Sequence, residues 1–243
     1  MPSTAKQILE RFSQSLALRP GLSEDEIARF QTQLPGALSP EIRELLTYSE
    51  GFDVTLAQRP KSRHIHEVVR VLFTGNGSVE LDSIVPCPVA LLGDGCGNFW
   101  VVDVHRTGAW GAILFVCHDP PVIAIQAPDL ASFLSQVLAL GESDGSNILD
   151  DVRNGATTNI WKTDPWLIPV QDARQASDGV VSSFAEQLPE SFCVADLRSL
   201  AVGSGFSWGK AGPAADVRRN GSELVFGIEQ KTPGLLHRIF PRR

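Results

Sequence analysis

Apolar positions in the first fifty residues of the chain recur at helical spacing. Three of them, spaced four apart, predict a short helix over residues 5–18: Ile8, Phe12 and Leu16. A second helix is predicted from the capping box at Ser23–Glu26, where a serine and a glutamate can satisfy each other's backbone amides. A third helix is predicted to begin at Ser39-Pro40 and to stop at Gly51, a residue suited to the left-handed conformation. The chain therefore opens with three short helices.

From position 64 the spacing of apolar residues changes. Short segments rich in Val, Ile, Leu and Phe alternate with clusters of Gly, Asn, Asp or Pro, which is typical of an antiparallel meander. Pro128-Asp129 then starts a helix that is expected to end near Leu140. Helices followed by neighbouring antiparallel strands predict an α+β fold, mainly an antiparallel sheet packed against helices. The predicted strands are residues 64–74, 79–85, 87–92, 98–104, 111–117 and 122–126.

A polar stretch rich in Gly and Ser comes after this helix. We predict a linker at residues 141–149 that separates a domain at 1–140 from a small C-terminal α+β domain or extension at 150–243. The patterns beyond the linker are weaker. They predict a helix at 180–188, strands at 192–197 and 223–229, and a glycine-rich loop at 203–212 that holds Phe206 and Trp208.

The composition indicates a folded protein. Of 243 residues, 43% are hydrophobic and 20% are charged, so the chain can bury a core and lacks the signature of disorder. No apolar run approaches the roughly 20 residues that cross a bilayer, and the N-terminus lacks the apolar segment of a signal peptide. We therefore expect a cytoplasmic protein without a membrane span. Its four cysteines are isolated from one another and expected to be reduced: Cys87, Cys96, Cys117 and Cys193.

The net charge of −7 is unevenly distributed along the chain. Residues 1–140 carry 15 acidic and 10 basic residues, residues 141–230 carry 13 and 7, and Lys231–Arg243 carries 4 bases and no acid. An acidic body disfavours nucleic acid, because its charge repels phosphates, and attracts a basic protein. The basic tail Lys231–Arg243 also contains apolar residues, so it is either a segment that docks on a partner or a frayed terminus.

Three groups of residues superficially suggest chemistry. The glycines of Gly93–Gly97 lead into a predicted strand, whereas a dinucleotide-binding loop leads into a helix. His64 and His66 share a strand face, but no further metal ligands accompany them. Cys117–Asp119 places a thiol, an imidazole and a carboxylate side by side, and neighbours along a strand point to opposite faces instead of converging as a triad does. We predict no catalytic residue, no cofactor and no metal.

Three features, in this order, resemble the SMI1/KNR4 (SUKH) family over about residues 20–140. They are the capping box Ser23–Glu26, the segment Leu38–Gly51 whose helix ends near an aromatic residue and a glycine, and the turn Gly93–Gly97 that enters the aromatic strand Asn98–Asp103. The strand Gly111–Asp119 also resembles a strand of that family. The resemblance implies a sheet packed against helices, no established catalytic centre and, in bacteria, a frequent role as an immunity protein that neutralises a toxin, often a nuclease.

We accordingly predict a protein without enzymatic activity that neutralises a cognate, basic toxin by direct stoichiometric binding. Two alternatives stay open. One is a scaffold or regulatory interaction module that has no toxin, and the other is an enzyme formed by the C-terminal region. The sequence leaves the oligomeric state undetermined.

A binding surface of this kind needs an apolar or aromatic anchor surrounded by an acidic rim. The candidate anchors are Phe52, Trp100 and Trp110. Acids at the ends of predicted elements, where loops gather at sheet edges, are the candidates for the rim, although solvated charges without a partner are the simpler interpretation. These acids are Glu50, Asp53, Asp94, Asp103 and Asp119.

Overall fold

The computed structural model describes residues 3–55, 68–75, 84–140, 147–199, 201–210 and 215–230. Helices α1 to α4 belong to the first 140 residues, and the others come after the predicted linker. A π-helical turn at Asp151–Ala156 joins α5 to α6 without a break. The helices are α1 Ala5–Phe12, α2 Glu24–Gln31, α3 Pro40–Tyr48, α4 Leu130–Ala139, α5 Ile148–Asp150, α6 Thr157–Thr163, α7 Val170–Arg174 and α8 Gly179–Ala185.

The strands form three antiparallel sheets. The small sheet has the order β1-β2-β3, the central sheet β10-β7-β6-β5-β4, and the second sheet β11-β12-β9-β8. The strands are β1 Ala17–Leu18, β2 Gly51–Thr55, β3 Val68–Leu72, β4 Pro88–Gly93, β5 Phe99–Val104, β6 Trp110–His118, β7 Pro121–Ala127, β8 Ile168–Pro169, β9 Phe192–Asp196, β10 Gly205–Ser207, β11 Val217–Arg219 and β12 Val225–Glu229. This confirms the predicted α+β fold with an antiparallel meander and a smaller C-terminal α+β extension.

The predicted helix starts are confirmed, because such signals depend on neighbouring residues alone. Ser23 and Glu26 form the capping box, with the Ser23 backbone N–H donating to Glu26 Oε2 at 2.8 Å. Ser39 caps α3, and Pro40 occupies the first turn. The predicted stop at Gly51 is wrong: α3 ends at Tyr48, and Gly51 is the first residue of β2. Glycine is required there by packing, since a Cβ atom would lie 2.2 Å from the carbonyl oxygen of Val71.

The other differences between the predicted and the observed elements lie where the periodic pattern is short, or where contacts with residues distant in the chain determine the local structure. The first helix ends at Phe12 and not near residue 18, because the chain turns to pair Ala17 and Leu18 with β2. The predicted loop at 203–212 contains β10, and the helices of residues 148–163 were not predicted. Residues 76–83, which include most of the predicted strand 79–85, lie outside the described residues, as do His64, His66 and the basic tail.

Three apolar clusters give the molecule an α/β/β/α arrangement of four layers. The first cluster lies on one face of the central sheet, where Trp100 and Phe115 are buried, and is covered by helices α1 to α4, the small sheet and the helix that runs from α5 to α6. The second cluster lies between the opposite face of the central sheet and the second sheet, and it contains Ile123, Phe206 and Phe226. The third packs α7 and α8 on the outer face of the second sheet. Both faces of the central sheet are therefore covered.

The C-terminal residues also extend the central sheet. Strand β10 pairs with β7 in the register Phe206 to Ile123. The side chain of Asp164, which ends α6, accepts hydrogen bonds from the backbone N–H and the hydroxyl of Ser207 at 2.9 and 2.7 Å. Residues 147–230 thus contact the first part of the chain through a sheet, a helix and an apolar cluster, while the predicted linker and domain limits stay a prediction.

A buried ion pair joins the second sheet to the central sheet. Arg219 on β11 donates from Nη1 and Nη2 to the two carboxylate oxygens of Asp103 on β5, both at 2.7 Å. The side chains are 5% and 10% exposed. The three remaining N–H groups of Arg219 donate to the carbonyl oxygens of Ile84, Ser222 and Glu223. All five guanidinium donors are satisfied, which offsets the cost of burying the charge.

We predict that a chain ending at Leu140 does not form a stable monomer. The truncation exposes one face of the central sheet, including Leu114, Ile123 and Ile125, and leaves Asp103 buried without its cation. Size-exclusion chromatography and binding of a hydrophobic dye should show aggregation or a loosely packed state. A monodisperse fragment that unfolds cooperatively would contradict this and would support a separate domain at 1–140.

We predict that Arg219→Leu lowers the free energy of unfolding by about 3–5 kcal/mol, because it leaves Asp103 as a buried charge without a partner. Arg218→Leu is the matched control. Its ion pair with Asp216 is 46% exposed on each side, so its loss should cost at most about 1 kcal/mol. Urea denaturation followed by tryptophan fluorescence measures both values, and equal losses in the two variants would refute the distinction.

Candidate functional site

The structure places two of the three predicted anchors in the core. Phe52 and Trp100 are 0% and 1% exposed, so neither offers surface to a partner. The indole N–H of Trp100 donates to Gln126 Oε1 at 2.8 Å, and Gln126 donates in turn to Gln136 on α4. Trp110 is partly buried against the first cluster. These aromatic residues therefore stabilise the contact between the sheet and its helices.

The predicted acidic rim is not assembled in one place. Asp53 on β2 forms ion pairs with Arg70 at 2.9 Å and Arg19 at 3.8 Å, and its pKa is lowered mainly by the hydrogen bond from Arg70. Glu50 accepts a hydrogen bond from the Thr74 hydroxyl at 3.2 Å. Asp103 lies at the end of the central sheet where it is buried against Arg219. These three acids are therefore engaged within the protein and lie in separate regions of it.

Asp94 and Asp119, in contrast, lie at the same end of the central sheet. The turn between β4 and β5 holds Asp94, and the turn between β6 and β7 holds Asp119. The π-helical turn and α6 face these two turns, and together they enclose a polar cleft of about 510 Å³. We call it the polar cleft. Its lining residues are Cys96, Asn98, Cys117, His118, Asp119, Pro120, Arg153, Asn154, Thr157 and Thr158.

A buried ion pair forms the base of the polar cleft. Arg153 donates from Nε and Nη2 to Asp94 Oδ2, at 3.0 and 2.8 Å. The two side chains are 8% and 0% exposed. The other Asp94 oxygen accepts from the backbone N–H groups of Cys96 and Asn98, at 2.8 and 3.1 Å. Asp94 thus fixes both the glycine turn and the helix on the far side of the cleft.

Burial by itself would raise the pKa of the Asp94 carboxyl. The hydrogen bonds from the Asn98 side chain, the Cys96 backbone and Arg153 outweigh the burial, and the pKa lies below its ordinary value. The carboxylate stays ionised at neutral pH. The Asp94–Arg153 pair is consequently neutral as a unit, so the formal charge that the cleft offers to a ligand comes from other side chains.

The hydrogen bonds around Asn98 determine the proton position on His118. Because the Asp94 carboxylate only accepts, the Asn98 amide nitrogen must be the atom that donates to Asp94 Oδ2 at 2.7 Å. Asn98 Oδ1 therefore faces His118 and accepts from its backbone N–H at 3.1 Å and from ring Nδ1 at 2.9 Å. In the neutral imidazole the proton is on Nδ1, and Nε2 carries a lone pair.

Gly97 allows the His118 ring to lie against the turn. It has φ +89°, and an added Cβ atom would come within 3.2 Å of ring atoms Cε1 and Nδ1. The turn therefore needs glycine both for its backbone conformation and for the space that the imidazole occupies. This agrees with the interpretation of Gly93–Gly97 as a tight turn before a strand.

Cys117 and His118 are neighbours at the end of β6 and differ in exposure. Cys117 is buried, and burial raises the pKa of its thiol, so it is not a thiolate at neutral pH. His118 and Asp119 are exposed. Within the described ranges, no group of three or more His, Cys, Asp and Glu side chains is placed to bind a metal ion.

Sequence reasoning missed Arg153, which completes the base of the cleft. It lies 59 positions from Asp94, in a helix whose apolar residues Leu149, Val152, Ala156 and Ile160 recur at spacings of three and four, a signal of the helix that sequence reasoning did not use. A π-helical turn, which is frequent at functional sites, carries it. The hydroxyl of Thr157, the first residue of α6, donates to the Arg153 carbonyl oxygen in that turn. Only the tertiary fold brings this cation to the turn.

No helix in the described part of the chain is long and apolar enough to cross a lipid bilayer. No curated protein and no solved structure matches the chain. The family model for the SMI1 / KNR4 family (SUKH-1) matches residues 21–136. The matched range runs from just before α2 into α4, and it contains the small sheet from β2 onward, four strands of the central sheet and both turns of the polar cleft. Residues 21–136 therefore form a domain of the SMI1 / KNR4 (SUKH-1) family.

Proposed function

We propose that this protein is an immunity-type binding protein that acts in the cytoplasm and neutralises a cognate, basic toxin by stoichiometric contact. The observation that carries the proposal is an acidic surface on a domain of this family. The partner is occluded and no bond is made or broken. The polar cleft and the acidic helices beside the domain core are the proposed contact regions.

Helices α2 and α3 supply exposed negative charge. Five acids on them are exposed to solvent, and only two of these form ion pairs with described bases: Glu24 with Arg43 and Glu44 with Lys6, each at 2.7 Å. The exposed acids are Glu24, Asp25, Glu26, Glu41 and Glu44. Such a surface attracts a positively charged protein over distances of about a Debye length.

Asp119 is the predicted rim acid that stays exposed. The structure engages the other four within the protein, so Asp119 is the member of that set that we retain as a contact residue. In the proposed complex, the helices accelerate encounter, and the cleft contributes specific polar contacts. In this proposal the helices control the rate of association, and the cleft controls the lifetime of the complex.

The direct test identifies whether a neighbouring gene encodes a secreted protein with a toxin domain and co-expresses that domain with this protein. We expect growth to be restored, and a purified 1:1 complex to withstand gel filtration. If growth is not restored and no complex forms, the proposal fails. Recovery of several weakly bound proteins in place of one stoichiometric partner would favour the scaffold or regulatory alternative.

We predict that the double variant Asp25→Lys/Glu41→Lys lowers the association rate constant for this partner by about tenfold at low ionic strength, because it reverses charge on the attracting helices. The difference should shrink as salt is added. Stopped-flow or surface plasmon resonance measurements over a salt series give both quantities.

The matched control is Asp172→Lys/Glu186→Lys, which makes the same charge change on exposed positions at α7 and just after α8. These positions belong to the layer on the opposite side of the molecule from α2 and α3. An equal effect of both double variants would mean that net charge alone, and not the location of the acids, controls association.

A further inference from the structure

The polar cleft has two walls of different origin. The turns that hold Asn98, His118 and Asp119 belong to the family domain, whereas Arg153, Asn154, Thr157 and Thr158 come from the helix C-terminal to it. A volume of about 510 Å³ is in the range of sites that bind small ligands or a side chain with its flanking backbone. The family domain alone does not form this cleft, because one wall lies beyond residue 136.

The two threonine hydroxyls of the second wall present lone pairs, since their hydrogens are already used. The Thr158 hydroxyl donates to the Asn154 carbonyl oxygen at 2.6 Å, and the Thr157 hydroxyl donates to that of Arg153. Asn154 Oδ1 accepts from Arg153 Nη1 at 3.2 Å. A hydroxyl that donates within its own helix keeps acceptor capacity only. The threonines therefore favour a ligand that brings its own hydrogen-bond donors.

The first wall adds acceptors and the unbalanced charge. His118 holds its proton on Nδ1 against Asn98, so the neutral ring offers Nε2 as an acceptor. The Asp119 carboxylate is exposed and accepts only. Arg153 is paired with Asp94 at 2.8 Å. Among the residues that line the cleft, Asp119 is therefore the charged residue without a counter-ion in the described part of the chain.

We infer that the polar cleft binds an arginine side chain of the protein partner, with Asp119 as its counter-ion. Arginine fits because it carries five N–H donors in one plane and a permanent charge, while the acceptors of the cleft are spread over Asp119, His118 and Thr158. This inference rests on the proposed function for the identity of the partner. The recognition chemistry itself is testable without the partner.

The test titrates the isolated, full-length protein with N-acetyl-arginine amide and, separately, with its neutral analogue N-acetyl-citrulline amide. NMR resonances of the His118 ring and the Thr158 amide report on the cleft. We expect saturable shifts with the arginine probe and binding at least about tenfold weaker with the citrulline probe, because the latter lacks the charge that pairs with Asp119. Equal shifts with both probes, or saturable shifts with acetate in their place, would overturn the inference.

Variants separate the cleft from general charge effects. Asp119→Asn is nearly isosteric and exposed, so the fold should be retained while the saturable shift is lost. Thr158→Val, which removes one acceptor on the opposite wall, should weaken binding of the arginine probe by a smaller factor. Asp172→Asn removes the same charge from an exposed position on α7 and should leave the titration unchanged. Loss of the shift in all three variants would contradict a specific site.

The outcome is distinguishable from that of the proposed function. If the arginine probe binds as described but co-expression does not restore growth, the cleft keeps its assignment and the immunity role fails. If growth is restored equally by the native protein and by Asp119→Asn, the immunity role stands and the cleft is not the contact. Both measurements use the whole chain.

Discussion

Burial of the central sheet on both faces is the constraint on which the remaining structure depends. Helices α1 to α6 and the small sheet cover one face, and the second sheet with Phe206 and Phe226 covers the other. A sheet with alternating apolar and polar positions can leave one face in water, but β5, β6 and β7 are buried almost without interruption. In this chain the C-terminal residues supply the second cover, and β10 completes one edge of the central sheet.

Two buried ion pairs attach the C-terminal residues at opposite ends of this sheet. Asp94 pairs with Arg153 at one end, and Asp103 pairs with Arg219 at the other. Buried ion pairs contribute little net stability relative to apolar packing, but breaking one leaves an uncompensated charge. They consequently favour one arrangement of the second sheet and of helix α5–α6 over alternatives. They also remove two acids from the surface, whereas the acids of helices α2 and α3 and Asp119 stay exposed.

The polar cleft depends on the first of these pairs. Asp94 orders the turn, orients Asn98 and thereby places the proton of His118, while Arg153 holds the second wall against it. One wall belongs to the family domain and the other to residues beyond it. If related domains share the turns but differ in their C-terminal extensions, then the chemistry of the cleft is set by those extensions. In the proposed function, selectivity for a partner would be located there, whereas attraction would come from the helices.

The sequence by itself determined the elements whose signals are local: the capping box of α2, the proline start of α3, the strands β4 to β7 and the helix α4. These elements were sufficient to predict the α+β fold and the resemblance to the family. The sequence did not determine which polar and aromatic residues reach the surface. Asp94 and Asp103 were placed correctly at strand ends, yet their partners lie 59 and 116 positions away, and Trp100 points inward to Gln126. Tertiary structure decided these points because burial and ion pairing depend on distant residues that local periodicity does not encode.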